Sequence, residues 1–409
     1  AEPYIDIVNC SRGLDMIREA NIHHAATIFE PHITNLEALR KIRANTSCLL
    51  SVVGSIMTPE EAESLLEEGS ADLIMLGRST LADPFWPVKA QMGHSEDIVP
   101  CIRCLQCYHV STDHKNVQCS VNPRFNREKR VPLILPVTGH PKHLVIVGGG
   151  PAGITCALTA SRRGHQVTLL EKEPVLTGKL NIACHGEHKA DLRRFRDYLL
   201  TQLRKSSVTV HTGVLADTDV VRDLKPDALV IAVGATPSRI PLPGVDGDNC
   251  IQISEFLQSP DTSLQHYIII GGGSVGCETA LDLAEKGKDV SIIEMADCLA
   301  SASNDLYRLA LSEHFARYDN LHTYLNSACQ SIDADGVNVL TNGASTHISG
   351  DKVLLSLGFR PDAKQVSSLY GIVPDTYYVG DCERVATVAE AVNNAYFIGA
   401  NVFQEQDII

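Results

Sequence analysis

The sequence predicts an α/β protein: the C-terminal part of a (β/α)₈ barrel, a cysteine-rich segment, and then two nested Rossmann-like nucleotide-binding domains. Three observations support this fold class. Short apolar runs alternate with helical patterns over residues 1–95. Four cysteines follow, at Cys101, Cys104, Cys107 and Cys119. Two glycine fingerprints come after them, GGGPAG at 148–153 and GGGSVG at 271–276.

The composition is that of a protein with two or three folded domains. The chain has 409 residues, 44% of them hydrophobic, and no uninterrupted apolar stretch of membrane-spanning length. Its net charge of −14 disfavours nucleic acid and anionic membranes as partners. The 13 cysteines are odd in number and mostly scattered, which favours a reducing, cytoplasmic setting with metal ligands over disulfides. Because the chain starts at Ala1 without a signal peptide, we expect a processed, excised or split piece of something longer.

Residues 1–95 show the rhythm of parallel strands and helices. Residues 5–8, 49–54 and 71–77 are predicted to form buried parallel strands. Between the last two, TPEEAESLLEEG predicts a helix that is capped by Thr58 and has proline at its first position. A complete barrel needs about 250 residues, and only three β/α units fit before the cysteines. We therefore expect a partial barrel or a small open sheet.

Residues 96–140 contain the cysteine cluster, spaced C-x2-C-x2-C-x11-C, and several prolines. Four thiolates can bind either a [4Fe–4S] cluster or a tetrahedral zinc ion. Zinc knuckles usually pair two CxxC units, whereas here three cysteines are close together and one is remote, so the iron–sulfur cluster is favoured. We expect this segment to be an irregular linker held by the metal rather than a packed element.

From His143 onwards, two copies of one pattern follow: strand, tight glycine turn, helix and second strand. In each copy an acidic residue, Glu171 or Glu294, comes 23 residues after the first glycine. A third strand lies between the copies, and the chain closes with a strand, a Gly-Asp turn and a helix. The pattern predicts one domain nested within another, with the first at 141–239 and 356–409 and the second at 240–355.

Each fingerprint predicts a dinucleotide site. The first glycine makes the turn, Gly150 lets the backbone approach a pyrophosphate, and Gly153 lets the helix pack on the strand. The pyrophosphate then lies at the helix N-terminus, where free N–H groups and the dipole favour anions. Glu171 and Glu294 are expected to accept hydrogen bonds from ribose hydroxyls. Glu294 would also repel a 2′-phosphate, which favours NADH over NADPH unless an arginine such as Arg308 approaches.

The Gly-Asp pair near the C-terminus distinguishes the two sites. Asp381 can bind a ribityl chain, and the helix from about Thr387 would aim its positive end at a flavin ring. Because this segment returns to the first domain, we expect FAD at the first fingerprint and NADH at the second. On its own, Asp381 would be a plain turn aspartate. Neither domain shows a dithiol pair, which argues against a disulfide reductase.

The barrel segment shows a possible phosphate site where its strands end. Gly54 and Ser55 end one strand, and Gly77 and Arg78 end the next. Loops at this place in such barrels commonly bind phosphate. We expect the phosphate of FMN here, held by glycine N–H groups and the arginine fork. A surface arginine is the alternative.

The order of these motifs resembles that of the iron–sulfur flavoenzymes related to old yellow enzyme. They include 2,4-dienoyl-CoA reductase, 2-enoate reductases and trimethylamine dehydrogenase. The resemblance covers essentially the whole chain and is carried by VVGSIMTPEEAESLLEEGSADLIMLGRSTLADP, CIRCLQC with CSVNP, VIVGGGPAG, GKLNIA and VGD. It implies that NAD(P)H passes electrons to FAD, then to the cluster, to FMN, and to an activated C=C bond of a small molecule.

The resemblance also implies roles for particular residues. It makes the four cysteines cluster ligands, Gly54, Gly77 and Arg78 contacts of the FMN phosphate, and residues 178–180 neighbours of FAD. A family histidine near the flavin makes His23 and His24 candidate catalytic residues, although solvated loop histidines fit equally well. With the fingerprints, the candidate cofactor-binding residues are Gly54, Ser55, Gly77, Arg78, Gly148, Gly150, Pro151, Ala152, Gly153, Glu171, Lys172, Gly178, Lys179, Leu180, Gly234, Gly271, Gly273, Ser274, Val275, Gly276, Glu294, Gly358, Gly380, Asp381 and Val388.

Two departures from the family pattern shape the functional prediction. The first five barrel strands are absent, so we expect an oligomer in which a partner chain completes the barrel, or a fragment. The tight cysteine spacing is closer to that of amine dehydrogenases, but their degenerate nicotinamide site contrasts with the intact GGGSVG and Glu294 here. We predict an NADH-dependent ene reductase or its C-terminal part, with an electron-transfer subunit or an amine dehydrogenase as alternatives.

Overall fold

The computed structural model describes residues 4–13, 17–112 and 115–403. The predicted domains' outermost residues, including Ala1, lie outside this part of the chain. Three parallel sheets are flanked by helices, which confirms the α/β class.

The barrel segment is a three-stranded parallel sheet in the order β1-β2-β3 with helices on one face. Thr58 caps α3 in a capping box with Glu61, as the sequence predicts. The first strand begins two residues later than predicted. The elements are β1 (Ile7–Cys10), α1 (Arg18–His24), α2 (Leu36–Arg43), β2 (Leu49–Val52), α3 (Pro59–Glu67), β3 (Leu73–Ile74), α4 (Arg78–Ala82) and α5 (Trp86–Gln91).

The two faces of this sheet differ sharply in burial. Leu50 and Val52 are fully buried in a core with side chains of α2 and α3. On the opposite face, Leu49 is 49% exposed, and Leu73 and Met75 are each 44% exposed. The prediction of strands buried on both faces is therefore wrong for this chain alone, because nothing in its described part covers the second face.

The cysteine segment, defined as residues 101–112 and 115–121, is packed rather than loose. It contains helix α6 (Gln106–Thr112). Ile102 and Val121 are buried in the core of the first nucleotide unit, and Leu105 is buried in the core of the second. The prediction of an unpacked linker is wrong, since these apolar side chains pack the segment against both units.

The first nucleotide unit begins with four parallel strands in the order β7-β4-β5-β6. Ile146 of β4 and Ile154 of α7 are fully buried in its core. The elements are β4 (His143–Val147), α7 (Pro151–Arg162), β5 (Gln166–Glu171), α8 (Leu180–Ala183), α9 (Ala190–Lys205), β6 (Thr209–Thr212), α10 (Thr218–Asp223), β7 (Ala228–Ile231) and β8 (Ala235–Pro237).

The second nucleotide unit follows with a five-stranded parallel sheet in the order β12-β11-β10-β16-β9. Three antiparallel strands, β13-β14-β15, form a separate small sheet. The elements are β9 (Cys250–Gln252), α11 (Ile253–Gln258), β10 (His266–Ile270), α12 (Ser274–Glu285), β11 (Asp289–Ile293), α13 (Asp305–Phe315), β12 (Leu321–Tyr324), β13 (Ser327–Asp333), β14 (Gly336–Thr341), β15 (Ala344–Ser349) and β16 (Lys352–Leu355).

The chain then returns to the first unit. Strand β18 joins the first sheet beside β7, and β17 pairs with β8. Helix α15 packs closely on α7, where a Cβ on Gly399 would lie 2.7 Å from the carbonyl oxygen of Cys156. The last elements are β17 (Phe359–Pro361), α14 (Ala363–Leu369), β18 (Thr376–Tyr378) and α15 (Val388–Asn401). No described helix is both long and apolar enough to cross a bilayer.

Candidate functional site

The first cradle, residues 148–153, has room for a ligand at one of its four glycines and none at Gly148 and Gly153. A Cβ on Gly148 would lie 2.3 Å from the carbonyl oxygen of Ala232, and one on Gly153 would lie 1.9 Å from that of Gly148. A Cβ on Gly150 would meet nothing within 4 Å. Helix α7 starts at Pro151 without a side-chain cap, so its free N–H groups can bind an anion such as a pyrophosphate.

Glu171 lies at the end of β5, directly beside this cradle. Its Oε2 accepts the N–H of Gly149 at 2.6 Å, and its Oε1 accepts the N–H of Glu173 at 2.8 Å. Each carboxylate oxygen has a second lone pair, so Glu171 can still accept a hydrogen bond from a ribose hydroxyl.

The second cradle, residues 271–276, repeats this geometry. A Cβ on Gly276 would lie 2.2 Å from the carbonyl oxygen of Gly271, whereas one on Gly273 would meet nothing within 4 Å. Glu294 Oε2 accepts the N–H of the second glycine at 2.6 Å, as Glu171 does in the first cradle. Arg308, the alternative partner for a 2′-phosphate, pairs with Asp305 on its own helix at 2.7 Å.

Beside the first cradle lies an ion pair that has no counterpart at the second cradle among the described residues. Lys179 Nζ lies 2.5 Å from Asp381 Oδ2 and 4.3 Å from the ring centroid of Phe359. A Cβ on Gly380 would lie 3.0 Å from the Cβ of Ala152, so the Gly-Asp turn touches the start of α7. The structure thus brings together segments that are separated by about 200 residues in the sequence.

The remaining candidate cofactor-binding residues lie after strands or at the starts of helices in the two nucleotide units. Gly178 lies beside Gly150, and Leu180 is buried at the start of α8. Gly234 and Gly358 both have φ near +75° just after strands β7 and β16. Ser274 and Val275 begin α12, and Val388 begins α15. Lys172 directly follows Glu171 and is exposed.

The four cysteines line one small pocket together with Arg78, Ser120 and apolar side chains. Burial raises the pKa of the Cys101 thiol to about 12 and also raises that of Cys107, while the nearby Arg78 guanidinium opposes both shifts. These thiols therefore keep their protons unless a metal ion displaces them. The donor set fits a thiolate-bound metal centre.

The spacing of the sulfurs bears on which metal fits. Among the described residues, no three cysteine sulfurs lie within 4.8 Å of one another. A single tetrahedral zinc ion with bonds of about 2.3 Å would hold its sulfurs about 3.8 Å apart. In every set of three of these cysteines, at least two sulfurs are therefore farther apart than they would be around a single zinc ion.

Three polar side chains that the sequence analysis missed tie the cysteine segment to its neighbours. Asn304 donates to the carbonyl oxygen of Cys104 at 3.1 Å, and Asn393 donates to that of Cys119 at 3.1 Å. Arg103, between two of the cysteines, donates to Asp191 at 2.6 Å. Each tie joins residues at least 88 positions apart, so no local pattern could have revealed them.

The predicted phosphate site at the barrel end is partly assembled. Arg78 donates to Ser55 Oγ and to the carbonyl oxygen of Ala26, both at 2.7 Å. Gly54, at φ +133°, turns the chain where a Cβ would lie 2.7 Å from Thr34 Oγ1. No Cβ contact closes the space at Gly77, which precedes α4. Arg78 therefore links the predicted phosphate site to the cysteine pocket.

The two candidate catalytic histidines lie in different surroundings. His23 contacts Glu30 at 3.3 Å and Glu313 of the second nucleotide unit at 3.5 Å. His24 Nδ1 lies 3.2 Å from the carbonyl oxygen of Arg12, in the loop that follows β1. Of the two, His24 contacts the loop after β1 directly, at the end of a barrel strand, where such barrels place their reacting groups.

Two dinucleotide cradles and a partial flavin barrel define an enzyme of the NADH:flavin oxidoreductase class. The chain belongs to the pyridine nucleotide-disulphide oxidoreductase family, whose model matches residues 142–395. Residues 2–97 match the NADH:flavin oxidoreductase / NADH oxidase family.

Similar proteins include an oxidase and two reductases. The NADH oxidase of Thermoanaerobacter brockii is 33% identical over 93% of this chain and 62% of its own length. The bilirubin reductase of Mediterraneibacter gnavus is 32% identical over 95% of this chain and 62% of its own length. A 2-naphthoyl-CoA reductase structure, soaked with 2-naphthoyl-CoA, superposes with a TM-score of 0.90 at 27% identity, over 98% of this chain and 60% of that one.

The two family matches and these relatives confirm the predicted resemblance to 2,4-dienoyl-CoA reductase-like flavoenzymes. The chain spans about three fifths of the length of the relatives it matches.

Proposed function

We propose that this chain is the electron-input part of an NADH-dependent reductase of activated C=C bonds. The observation that carries the proposal is the pairing of two complete dinucleotide cradles with a buried four-cysteine pocket, next to a flavin-barrel segment. When bound, FAD, a [4Fe–4S] cluster and FMN would carry electrons from NADH to the C=C bond of an enoate, enone or enoyl thioester.

The chain's own residues would bind and orient these groups. The start of α7 and Glu171 would hold the pyrophosphate and ribose of FAD, with Asp381 near its ribityl chain. The start of α12 and Glu294 would hold NADH in the same way. The four cysteines would bind the cluster, and Arg78 with Ser55 would bind the FMN phosphate.

The open face of the barrel segment supports a further component. Apolar side chains of β1 to β3 point away from the helices and are about half exposed, which is unusual for strands of a closed barrel. We propose that additional barrel strands cover this face, on the same polypeptide or on a partner chain. His24, beside the loop after β1, is our candidate for the proton donor that completes reduction of the C=C bond.

Two other functions remain as alternatives. The open barrel face favours an electron-transfer subunit that feeds a partner holding the substrate. The cysteine spacing favours an amine dehydrogenase, but the intact second cradle argues for a chain that uses a nicotinamide.

Anaerobic assay of the native protein with NADH tests these functions against one another. We expect one NADH to be consumed for each C=C bond reduced in a panel of enoates, enones and enoyl thioesters, and cofactor analysis to find FAD, FMN and iron. Reduction of a viologen dye but of no panel member, without bound FMN, would instead indicate the electron-transfer subunit. Reduction of the flavin by amines, with no response to NADH, would indicate the amine dehydrogenase.

A further inference from the structure

Arg103 lies inside the cysteine segment and is almost entirely buried, with 5% of its surface exposed. Its backbone takes the left-handed conformation, with φ +48°, which a non-glycine residue adopts only when its surroundings hold it there. The N–H of Arg103 points at Cys101 Sγ, 3.4 Å away. The residue therefore contacts one of the proposed metal ligands directly through its backbone.

The guanidinium of Arg103 binds two separate parts of the protein. It donates to the carbonyl oxygens of Thr27 at 2.8 Å and Glu30 at 2.7 Å, in the barrel segment. It also donates to Asp191 Oδ2 at 2.6 Å, at the start of α9 in the first nucleotide unit. Only a planar, multidentate donor can bind three acceptors spread over two elements in this way.

Asp191 is the anchor of this arrangement and is 1% exposed. Besides Arg103, it accepts hydrogen bonds from His32 Nε2 at 3.1 Å and Arg194 Nη1 at 3.3 Å. His32 in turn contacts Glu61 of α3 through its other ring nitrogen. A buried carboxylate needs such partners, so its position is fixed by groups from the barrel segment, the cysteine segment and α9 together.

We propose that Arg103, held by Asp191, is the positioning residue of the cysteine segment. It fixes Cys101 and Cys104 between the barrel segment and the first nucleotide unit before any metal binds. The purpose assigned to this preorganisation, cluster binding, rests on the proposed function. The preorganisation itself is a property of the metal-free chain and can be tested there.

The test compares Arg103→Gln and Arg103→Lys with Arg163→Gln in the metal-free, reduced protein. Arg163 is also buried, and it lies at the end of α7 far from its start at Pro151. Its guanidinium donates to the carbonyl oxygen of Ala400 in α15. Alkylation by iodoacetamide is followed cysteine by cysteine with peptide mass spectrometry. We expect Cys101 and Cys104 to react about tenfold faster in Arg103→Gln because local opening becomes easier. We expect a smaller increase in Arg103→Lys and none in Arg163→Gln.

Two fully buried cysteines, Cys156 of α7 and Cys277 of α12, report on global unfolding in the same experiment. If Cys156 and Cys277 also become reactive in Arg103→Gln, that variant has unfolded globally. The test then rests on Arg103→Lys, which keeps the positive charge and loses only the planar guanidinium. Alkylation rates of Cys101 and Cys104 equal to wild type in the folded Arg103 variants would overturn the proposal.

Anaerobic reconstitution with iron and sulfide then tests the purpose of the preorganisation. We expect Arg103→Gln to retain FAD as wild type does and to bind several-fold less iron. Iron binding equal to wild type would overturn the assigned purpose. If the wild-type chain itself binds no iron, the proposed cluster fails while the alkylation result still decides the positioning role.

Discussion

The two nucleotide cradles are close copies of one another, yet their surroundings differ. In each, the glutamate at the end of the second strand accepts the N–H of the second glycine at 2.6 Å. In each, the carbonyl oxygen of that glycine accepts an N–H at 2.7 Å, from Thr177 in the first and Ala300 in the second. The backbone geometry that binds a pyrophosphate is therefore the same, and it cannot by itself select the ligand.

The difference lies in elements that come from far along the chain. The first cradle is flanked by the Lys179–Asp381 pair and by α15, whose capped N-terminus follows the Gly-Asp turn. The second cradle has no counterpart of this return segment among the described residues. A fold can thus use one cradle twice and assign each copy through what is packed beside it.

Separate disruption of each cradle should have the largest effect on stability. In Gly153→Val the new Cβ would lie 1.9 Å from a backbone oxygen, and in Gly276→Val 2.2 Å from one. We expect each change to destabilise its own unit by more than about 4 kcal/mol. Hydrogen exchange resolved by segment would show the loss in residues 143–237 for the first variant and in 250–355 for the second. Loss across both units in both variants would contradict two separate cradles.

The two nucleotide units also differ in how they are joined to the rest of the protein. The first unit is held by Asp191, which is 1% exposed, whereas Lys189–Glu278 joins the second unit to it with side chains 13% and 20% exposed. We expect Asp191→Asn to reduce the free energy of unfolding by about 3–5 kcal/mol, since it leaves buried cations unpaired. Glu278→Gln should cost about 1 kcal/mol. Denaturant titration of both variants would measure this, and equal costs would show that the two joints do not differ.

Protonation of Asp191 should contribute to the loss of stability in acid. Its pKa is lowered from 3.8 to about 2, since hydrogen bonds and the charges of His32 and Arg103 outweigh the effect of burial. Because the folded pKa lies below the unfolded one, the stabilisation is complete above about pH 4 and is lost as the pH falls to 2. Between pH 4 and pH 2 the wild-type protein should therefore lose about 2 kcal/mol more of its free energy of unfolding than Asp191→Asn does. If both proteins lost the same free energy of unfolding over this range, Asp191 would not be the titrating group.

The third comparison concerns the two matched glutamates. Glu294→Gln removes the charge that should repel a 2′-phosphate, so we expect the preference for NADH over NADPH to fall about tenfold, or about 1.4 kcal/mol. Glu171→Gln, the matched change in the first cradle, should leave this preference unchanged and weaken FAD binding instead. Steady-state kinetics with both nucleotides would measure the preference. A shift caused by Glu171→Gln would reverse the assignment of the two cradles.

The smallest expected effect concerns the ion pair beside the first cradle. Lys179→Met removes a positive charge near the proposed flavin, so we expect its midpoint potential to fall by about 30 mV, equivalent to about 1.4 kcal/mol for two electrons. Lys286→Met, which breaks the ion pair with Asp282 in the second unit, is the control and should leave the potential unchanged. Anaerobic spectroelectrochemistry would measure both, and equal potentials in the two variants would contradict a role for Lys179.

Local features of the fold could be predicted from the sequence, and long-range ones could not. The cap at Thr58 and the clashing glycines Gly153 and Gly276 depend on neighbouring residues, so their patterns are visible in a single stretch of chain. The Arg103–Asp191 pair joins residues 88 positions apart, and helix α6 is too short to show a periodic pattern. The apolar face that includes Leu49 was predicted as buried because a continuous apolar run indicates that both faces of a strand are covered without indicating what covers them.

The most direct test of the account measures FAD bound per chain in Gly150→Val and Gly273→Val. Both positions are free of protein within 4 Å of a new Cβ, so either variant should fold and exclude only the ligand of its own cradle. We expect Gly150→Val to be purified without FAD, and Gly273→Val to retain FAD that dithionite reduces and NADH does not. FAD retained by Gly150→Val and lost from Gly273→Val would contradict it.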